Sequence, residues 1–96
     1  MSKIMRMLGI LKDDNQCQIR FGQKLKRWRD SLGMTEEEFA KRCGLSRQSI
    51  VKYELHPEEF KKGISLKRIE TFLMVFSEKF QCKISPEEFL RDVVYI

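Results

Sequence analysis

Three side chains near the middle of the chain, Arg47, Gln48 and Lys52, carry hydrogen-bonding groups that suit the edges of nucleic-acid bases. An arginine guanidinium can bond guanine O6 and N7 together, a glutamine amide can bond adenine N6 and N7, and a lysine ammonium reaches guanine or a phosphate. The same residues also suit the solvated face of an amphipathic helix, and helical periodicity alone favours that interpretation. The elements around them must decide between the two.

Two short helices are predicted in this region, joined by a very short connection. The first begins at Thr35, which forms a capping box with Glu38 three residues later, and ends at Gly44. The second begins at the N-cap Ser46 and covers about Arg47–Glu54. Two helices joined by a turn that contains glycine are typical of a helix-turn-helix.

The residue types inside this segment strengthen that prediction. Ala40 is small where the second helix crosses closely, and Gly44 relieves the backbone at the sharp turn. Leu45 and Ile50 then fill the space between the helices. An ordinary helical hairpin supplies one or two of these features by chance, so the joint match at this spacing favours a helix-turn-helix.

The chain as a whole has room for one small domain. It has 96 residues, of which 42% are hydrophobic and 34% charged, as in ordinary globular domains. Residues 1–31 hold eight Lys or Arg and three Asp or Glu, so they account for the whole net charge of +5. A basic surface attracts polyanions, with nucleic acid the first partner to consider, although a solvated, solubilising surface explains the charge equally well.

Other classes of function find little support. The chain has no Ser/His/Asp or Cys/His set, no phosphate-binding glycine loop and no metal-ligand cluster, so we expect neither an enzyme nor a bound metal or cofactor. Three scattered cysteines, Cys17, Cys43 and Cys82, with the single His56, indicate reduced thiols in a cytoplasmic protein. No apolar run approaches the roughly 20 residues of a membrane-spanning helix.

Three more helices complete an all-α interpretation. One covers about Ile19–Leu32, where an apolar stripe is followed by Gly33 and where Lys24 is expected on another face. Another covers about Leu66–Phe80. The last begins at Ser85, with a proline at the first helical position and a second capping box to Glu88.

The segment FGQKLKRWRDSLGMTEEEFAKRCGLSRQSIVKYE, residues 21–54, resembles the Cro/lambda-repressor family of XRE-type regulators without a gap. A weaker resemblance extends from Phe21 to Leu90. It implies an all-α, five-helix lambda-repressor-like DNA-binding domain, with a short N-terminal arm and a C-terminal tail. It also implies a homodimer on double-stranded DNA, with the third helix of the domain in the major groove.

The resemblance assigns roles to individual residues. The base-reading positions fall on Arg47, Gln48 and Lys52, with Ser49 as a fourth. Contacts to the DNA phosphates are expected from five further residues: Ser46, Lys41, Arg42, Lys61 and Lys62. An ion pair between Arg29 and Glu54 is expected to hold the recognition helix against the bundle, so its removal should destabilise the protein.

Two departures from the family pattern weaken parts of this assignment. The family commonly has Gln after the Thr of the first motif helix, where it reaches a phosphate. Here that residue is Glu36, which would repel one, so Lys41, Arg42 or the preceding helix must compensate. The loop at residues 55–63 is also longer than usual, and its Glu58 and Glu59 oppose the neighbouring lysines.

The ends of the chain leave alternatives open. We divide the sequence into residues 1–18, an N-terminal arm or extra short helix; residues 19–92, the helix-turn-helix domain; and residues 93–96, a C-terminal tail or short dimer strand. Residues 1–16 suit a floppy extension, a basic arm that reaches DNA, or a dimer contact. Apolar ends on a small chain favour self-association.

We therefore expect a sequence-specific regulator of transcription, a repressor in the cytoplasm of a bacterium or phage that binds a palindromic operator as a homodimer. The alternative is an antitoxin-type regulator, which would bind a partner protein such as a toxin and use the same motif for autoregulation. An RNA-binding or purely structural helical module is disfavoured because it leaves Arg47, Gln48 and Lys52 without a role. It also lacks the stacking aromatics expected for single strands, since Trp28 lies on an apolar core stripe.

Overall fold

The computed structural model describes residues 2–56, 58 and 63–95, and in these ranges the chain forms six helices and no strand. They are α1 (Lys3–Asp13), α2 (Asn15–Ser31), α3 (Glu36–Cys43), α4 (Arg47–Leu55), α5 (Leu66–Phe80) and α6 (Pro86–Val94). The predicted all-α class is confirmed, with α2–α6 as the five expected helices. Within the described ranges, no helix combines the length and apolarity needed to cross a membrane.

Each of these helices begins at a side chain that accepts a hydrogen bond from its first turn. The N-caps are, in order, Ser2, Asp14, Thr35, Ser46, Ser65 and Ser85. The capping box of Thr35 and Glu38 is present in both directions. At Ser85 only the forward bond forms, from the Glu88 N–H to the hydroxyl at 3.1 Å. Caps of this kind stabilise a helix by about 1 kcal/mol each, which explains why the starts of short helices were predictable.

Five phenylalanines form the centre of the core: Phe21, Phe39, Phe72, Phe76 and Phe89. Phe39 stacks on Phe76 with ring centroids 5.1 Å apart, which joins α3 to α5. Trp28 meets the ring of Phe89 edge-on at 4.8 Å, which joins α2 to α6. Trp28 therefore belongs to the edge of the core, as its position in the apolar stripe predicted.

The start of α2 lies earlier than expected. The apolar stripe predicted a start at about Ile19, but the helix starts at Asn15 because the carboxylate of Asp14 accepts hydrogen bonds from Gln16 N and Cys17 N. The hydrogen bonds that Asp14 accepts, above all the one from the Cys17 N–H, hold the pKa of this carboxyl below its usual value. The boundary drawn between residues 18 and 19 therefore falls inside a helix.

Of the alternatives for the N-terminal segment, the structure has the short helix. Met7 and Leu11 on the inner side of α1 are fully buried, and α1 packs against α2 and α6. The side-chain amide of Gln18 donates to the carbonyls of Leu11 and Lys12, at 3.0 and 2.8 Å. These contacts fasten α1 to the bundle.

The C-terminal residues also belong to the bundle. Residues 93–96 were expected to form a C-terminal tail or a short dimer strand, and in the structure Val93 and Val94 form the last turn of α6 and are buried. Both valines lie on the apolar face of an amphipathic helix, where they pack on the core. Ile96 lies outside the described residues.

Lys24 was expected on a face of its helix other than the apolar stripe, and it is buried nonetheless. Its ammonium donates to the Phe89 carbonyl at 2.7 Å and to the Asp92 carboxylate at 2.6 Å. It also lies 4.9 Å from the centroid of the Trp28 ring, close enough for a cation–π contact. Lys24 thus fastens α2 to α6.

Candidate nucleic-acid interface

The turn between α3 and α4 has the predicted glycine geometry. Gly44 adopts a left-handed conformation with φ of 70°, which a glycine takes without the penalty that other residues incur. The Leu45 N–H then donates to the Ala40 carbonyl at 2.9 Å. Ala40 and Ile50 are buried where the two helices meet. The sharp turn and close packing predicted for this motif are therefore confirmed.

One face of α4 is open to solvent and holds the predicted base-reading side chains. Arg47, Gln48 and Lys52 are exposed and line a shallow surface groove of about 550 Å³. Val51 and His56 line the same groove, and neither was predicted to be a contact residue. The spacing of Val51, four residues after Arg47, was the signal that places it on this face.

Ser49 occupies a different position from the other three. Its hydroxyl lies 3.0 Å from the hydroxyl of Ser46, and its backbone N–H donates to the same Ser46 oxygen at 3.2 Å. Ser49 is half-buried and does not line the groove. Both serines thus take part in the cap of α4.

Glu36, at the start of α3, contacts the first residue of α4. Its Oε1 lies 3.5 Å from Nη2 of Arg47, whose side chain is 66% exposed. The negative charge of Glu36, which would repel a phosphate, is therefore partly offset by the neighbouring guanidinium of Arg47. This pairing joins the two helices of the motif at their N-terminal ends.

The back of α4 is fastened to α2 by a buried ion pair. Arg29 Nε and Nη2 donate to the two carboxylate oxygens of Glu54 at 2.7 and 3.0 Å, and Nη1 donates to the Met34 carbonyl at 2.8 Å. The bond to Glu54 raises the pKa of Arg29. Burial raises the pKa of Glu54, and the guanidinium beside it opposes that rise. Arg29 therefore connects three parts of the motif: α2, the loop before α3, and α4.

A second contact between α2 and α4 depends on a glycine that the sequence analysis did not identify. A Cβ built on Gly22 would lie 2.6 Å from the Tyr53 carbonyl oxygen and 2.7 Å from that of Glu54. Both distances are far below any normal contact between carbon and oxygen. The main chain of α2 thus touches the C-terminal carbonyls of α4 directly. The only signal in the sequence was a helical glycine at a position where alanine is the better helix former.

The family model described as helix-turn-helix matches residues 25–55, from the second half of α2 to the end of α4. Residues 25–55 are an XRE-type helix-turn-helix. The Cro/lambda-repressor-like motif of this type is a DNA-binding element of transcription regulators. Among curated proteins and solved structures, none matches the chain.

The predicted phosphate contacts of the XRE-type motif are scattered. Lys41 and Arg42 are exposed in the last turn of α3, and neither lines the groove along α4. Ser46 caps α4 at its N-terminus. Lys61 and Lys62 lie outside the described residues.

The positive charge of the first third is only partly available to a ligand of the XRE-type motif. Arg29 and Lys24 are buried in ion pairs, and Arg20 donates to the Val93 carbonyl at 2.8 Å. Three of the eight basic residues counted in residues 1–31 therefore hold helices together. Charge counting could not show this, because their partners lie 25 to 73 positions further along the chain.

Proposed function

We propose that the protein is a sequence-specific transcription regulator, a repressor that binds a palindromic operator as a homodimer and inserts α4 into the major groove. The observation that carries this proposal is the exposed face of α4. Arg47, Gln48 and Lys52 share that face, while the opposite side of the helix is held by the Arg29–Glu54 pair. A rigid helix with base-reading donors on its open side suits direct readout of DNA.

Each side chain on this face has a role that its chemistry supports. Arg47 bonds guanine, Gln48 bonds adenine and Lys52 reaches guanine or a phosphate, while the half-exposed Val51 suits a thymine methyl group. Ser49 completes the base-reading set only if its hydroxyl leaves Ser46 on binding. The neighbouring Glu36 orients Arg47.

Contacts to DNA phosphates would fix the position and orientation of the exposed face of α4 on the duplex. Ser46, at the N-terminus of α4, suits one phosphate because helix N-termini carry free N–H groups. Lys41 and Arg42 of α3, with Lys61 and Lys62 further along the chain, are proposed to contact the DNA backbone on either side. Such contacts raise affinity without selecting a sequence.

A dimer would place two recognition helices on one face of the DNA. The docking geometry of this motif requires half-sites about 34 Å apart. The molecule measures 33 × 28 × 22 Å, so two copies packed side by side are large enough to span two such half-sites. One copy alone would bind weakly, and a bound pair would repress by occluding RNA polymerase.

Selection from a random duplex pool at about 150 mM salt tests the proposal, because non-specific binding is weakened there. We expect a palindromic motif. Arg47→Ala should cost about 1–3 kcal/mol at one base pair and relax the preference there. The matched control is Lys79→Ala, which removes one positive charge from the exposed last turn of α5 and should leave the preference unchanged. Retention without any sequence preference, or an unchanged motif in Arg47→Ala, would contradict the proposal.

A further inference from the structure

The outer side of α1 forms a surface that the DNA-binding motif does not use. Met7 and Leu11 face the core, whereas Met5, Arg6 and Gly9 face solvent, and Met5 is 52% exposed. Met5 precedes Gly9 by four residues and Arg6 precedes it by three. All three therefore lie on one stripe along the outer side of α1, about one helical turn apart.

Two shallow grooves run along this stripe, one on each side. Their volumes are about 650 and 430 Å³, and both are lined by Met5 and Gly9. A Cβ built on Gly9 would have no heavy atom within 4 Å. A neighbouring helix can therefore approach the backbone of α1 closely at this point, with an apolar side chain of each partner beside the crossing.

Charges of opposite sign lie at the two ends of the stripe. Arg6 precedes Gly9 by one turn and Asp13 follows it by one turn, so they are separated by about 10 Å along the helix. Both side chains are exposed, and neither forms an ion pair with any described residue. An antiparallel second α1 would bring each Arg6 against the other copy's Asp13. A two-fold contact requires this kind of self-complementarity.

We propose that α1 is the dimer surface of this protein, with two copies packed antiparallel across a two-fold axis close to Gly9. This inference deepens the homodimer of the proposed function and rests on it. The occupant is a second copy of the chain because the basic-then-acidic order of the stripe complements itself when reversed.

The position of α1 suits this arrangement on DNA. A Cβ on Gly63, in the connection after α4, would lie 3.6 Å from Lys12 Cδ at the end of α1. Gly63 also lines a groove together with Tyr53 of the recognition helix. The chain that follows α4 therefore meets the end of α1 at Gly63, on the side of the bundle where the two-fold axis is proposed.

The contact is small, so the free dimer should be weak. A pair of 11-residue helices buries less than the roughly 800 Å² per partner of a standard interface. We expect the free dimer to assemble at protein concentrations between roughly 10 μM and 1 mM. On a palindromic site the contact should be strengthened, because the DNA already holds both copies next to each other.

Sedimentation equilibrium of the full chain without DNA tests the surface directly. Gly9→Gln fills the crossing point, suits a helix and meets no neighbouring atom, so it should fold normally and raise the dimer dissociation constant roughly tenfold or more. The control is Met74→Gln, which removes another exposed apolar side chain, on α5, and should leave the dimer unchanged.

A charge exchange gives an independent measurement. Arg6→Asp and Asp13→Arg should each weaken the dimer, and the double variant should restore it, because the pair is then re-formed with reversed signs. A wild-type chain that stays monomeric up to about 1 mM overturns the proposal, as does a dimer indifferent to Gly9→Gln or sensitive instead to Met74→Gln.

The DNA measurement is kept separate from the dimer measurement. Gly9→Gln should bind a single half-site duplex as the wild type does and lose only the added affinity for the palindrome. If the wild type dimerises through α1 but binds no half-site, the proposed function fails and the surface stands. If half-site binding is normal and α1 has no part in pairing, the surface fails alone.

Discussion

Adding a single methyl group to Gly22 perturbs the position of α4, the proposed recognition helix, without touching its exposed face. In Gly22→Ala the new Cβ meets the carbonyl oxygens of Tyr53 and Glu54 at 2.6 and 2.7 Å. Close carbon–oxygen contacts in proteins are about 3.3 Å or longer, so α4 must move away from α2 by about 0.7 Å at the closer contact. Both neighbours are main-chain atoms near the end of α4, which cannot rotate aside as a side chain would.

The size of the effect follows from two opposing contributions. Alanine is a better helix former than glycine by about 1 kcal/mol, which stabilises the variant. Overpacking a tight contact costs about 1–3 kcal/mol. Gly9→Ala supplies the matched control, because Gly9 is also helical but a Cβ there meets nothing within 4 Å. The difference in unfolding free energy between the two variants should therefore be about 1–3 kcal/mol, since the helix-propensity contribution cancels.

Urea unfolding followed by circular dichroism measures this difference, and fluorescence anisotropy on a selected duplex measures DNA affinity. The displacement of α4 in Gly22→Ala should weaken binding by about 1 kcal/mol or more, roughly fivefold, while Gly9→Ala should bind a half-site as the wild type does. The reasoning would be refuted if Gly22→Ala gained as much stability as Gly9→Ala and bound DNA with unchanged affinity.

Two further predictions concern the ion pairs that hold α2. Arg29→Met leaves Glu54, whose side chain is 1% exposed, without its partner, so unfolding free energy should fall by about 3–5 kcal/mol. Adding Glu54→Gln should recover part of the loss, and a single-variant cost below about 1 kcal/mol would count against the pair. Burial raises the pKa of Asp92, but the hydrogen bond and charge of Lys24 outweigh it and hold this pKa below 3.8. The stability difference between wild type and Asp92→Asn should therefore be full above pH 3.8 and disappear at lower pH, and a constant difference in urea midpoint would contradict this.

The sequence by itself determined the helices and the motif, because their signals are local. Three such signals are the capping box at Thr35, the glycine at Gly44 and the apolar stripe of α5. In each of them the residues that matter lie fewer than five positions apart in the sequence, so the signal can be recognised without knowing the fold. The same reasoning found the exposed positions Arg47, Gln48 and Lys52, because helical spacing determines which residues share a face. The start of α2 was missed, although Asp14 is a preferred N-cap residue, because the apolar stripe from which this helix was predicted begins only at Phe21.

Only the tertiary structure decided which residues fasten these elements together. A buried Lys24, a helix–helix contact through Gly22 and a packed α1 all depend on chain segments that meet in space but lie far apart in sequence. Lys24 looks like any solvated lysine until the Phe89 carbonyl, 65 positions later, is placed beside it. The physical reason is that burial and charge pairing are properties of the assembled core, whereas helix propensity and capping are properties of a few consecutive residues.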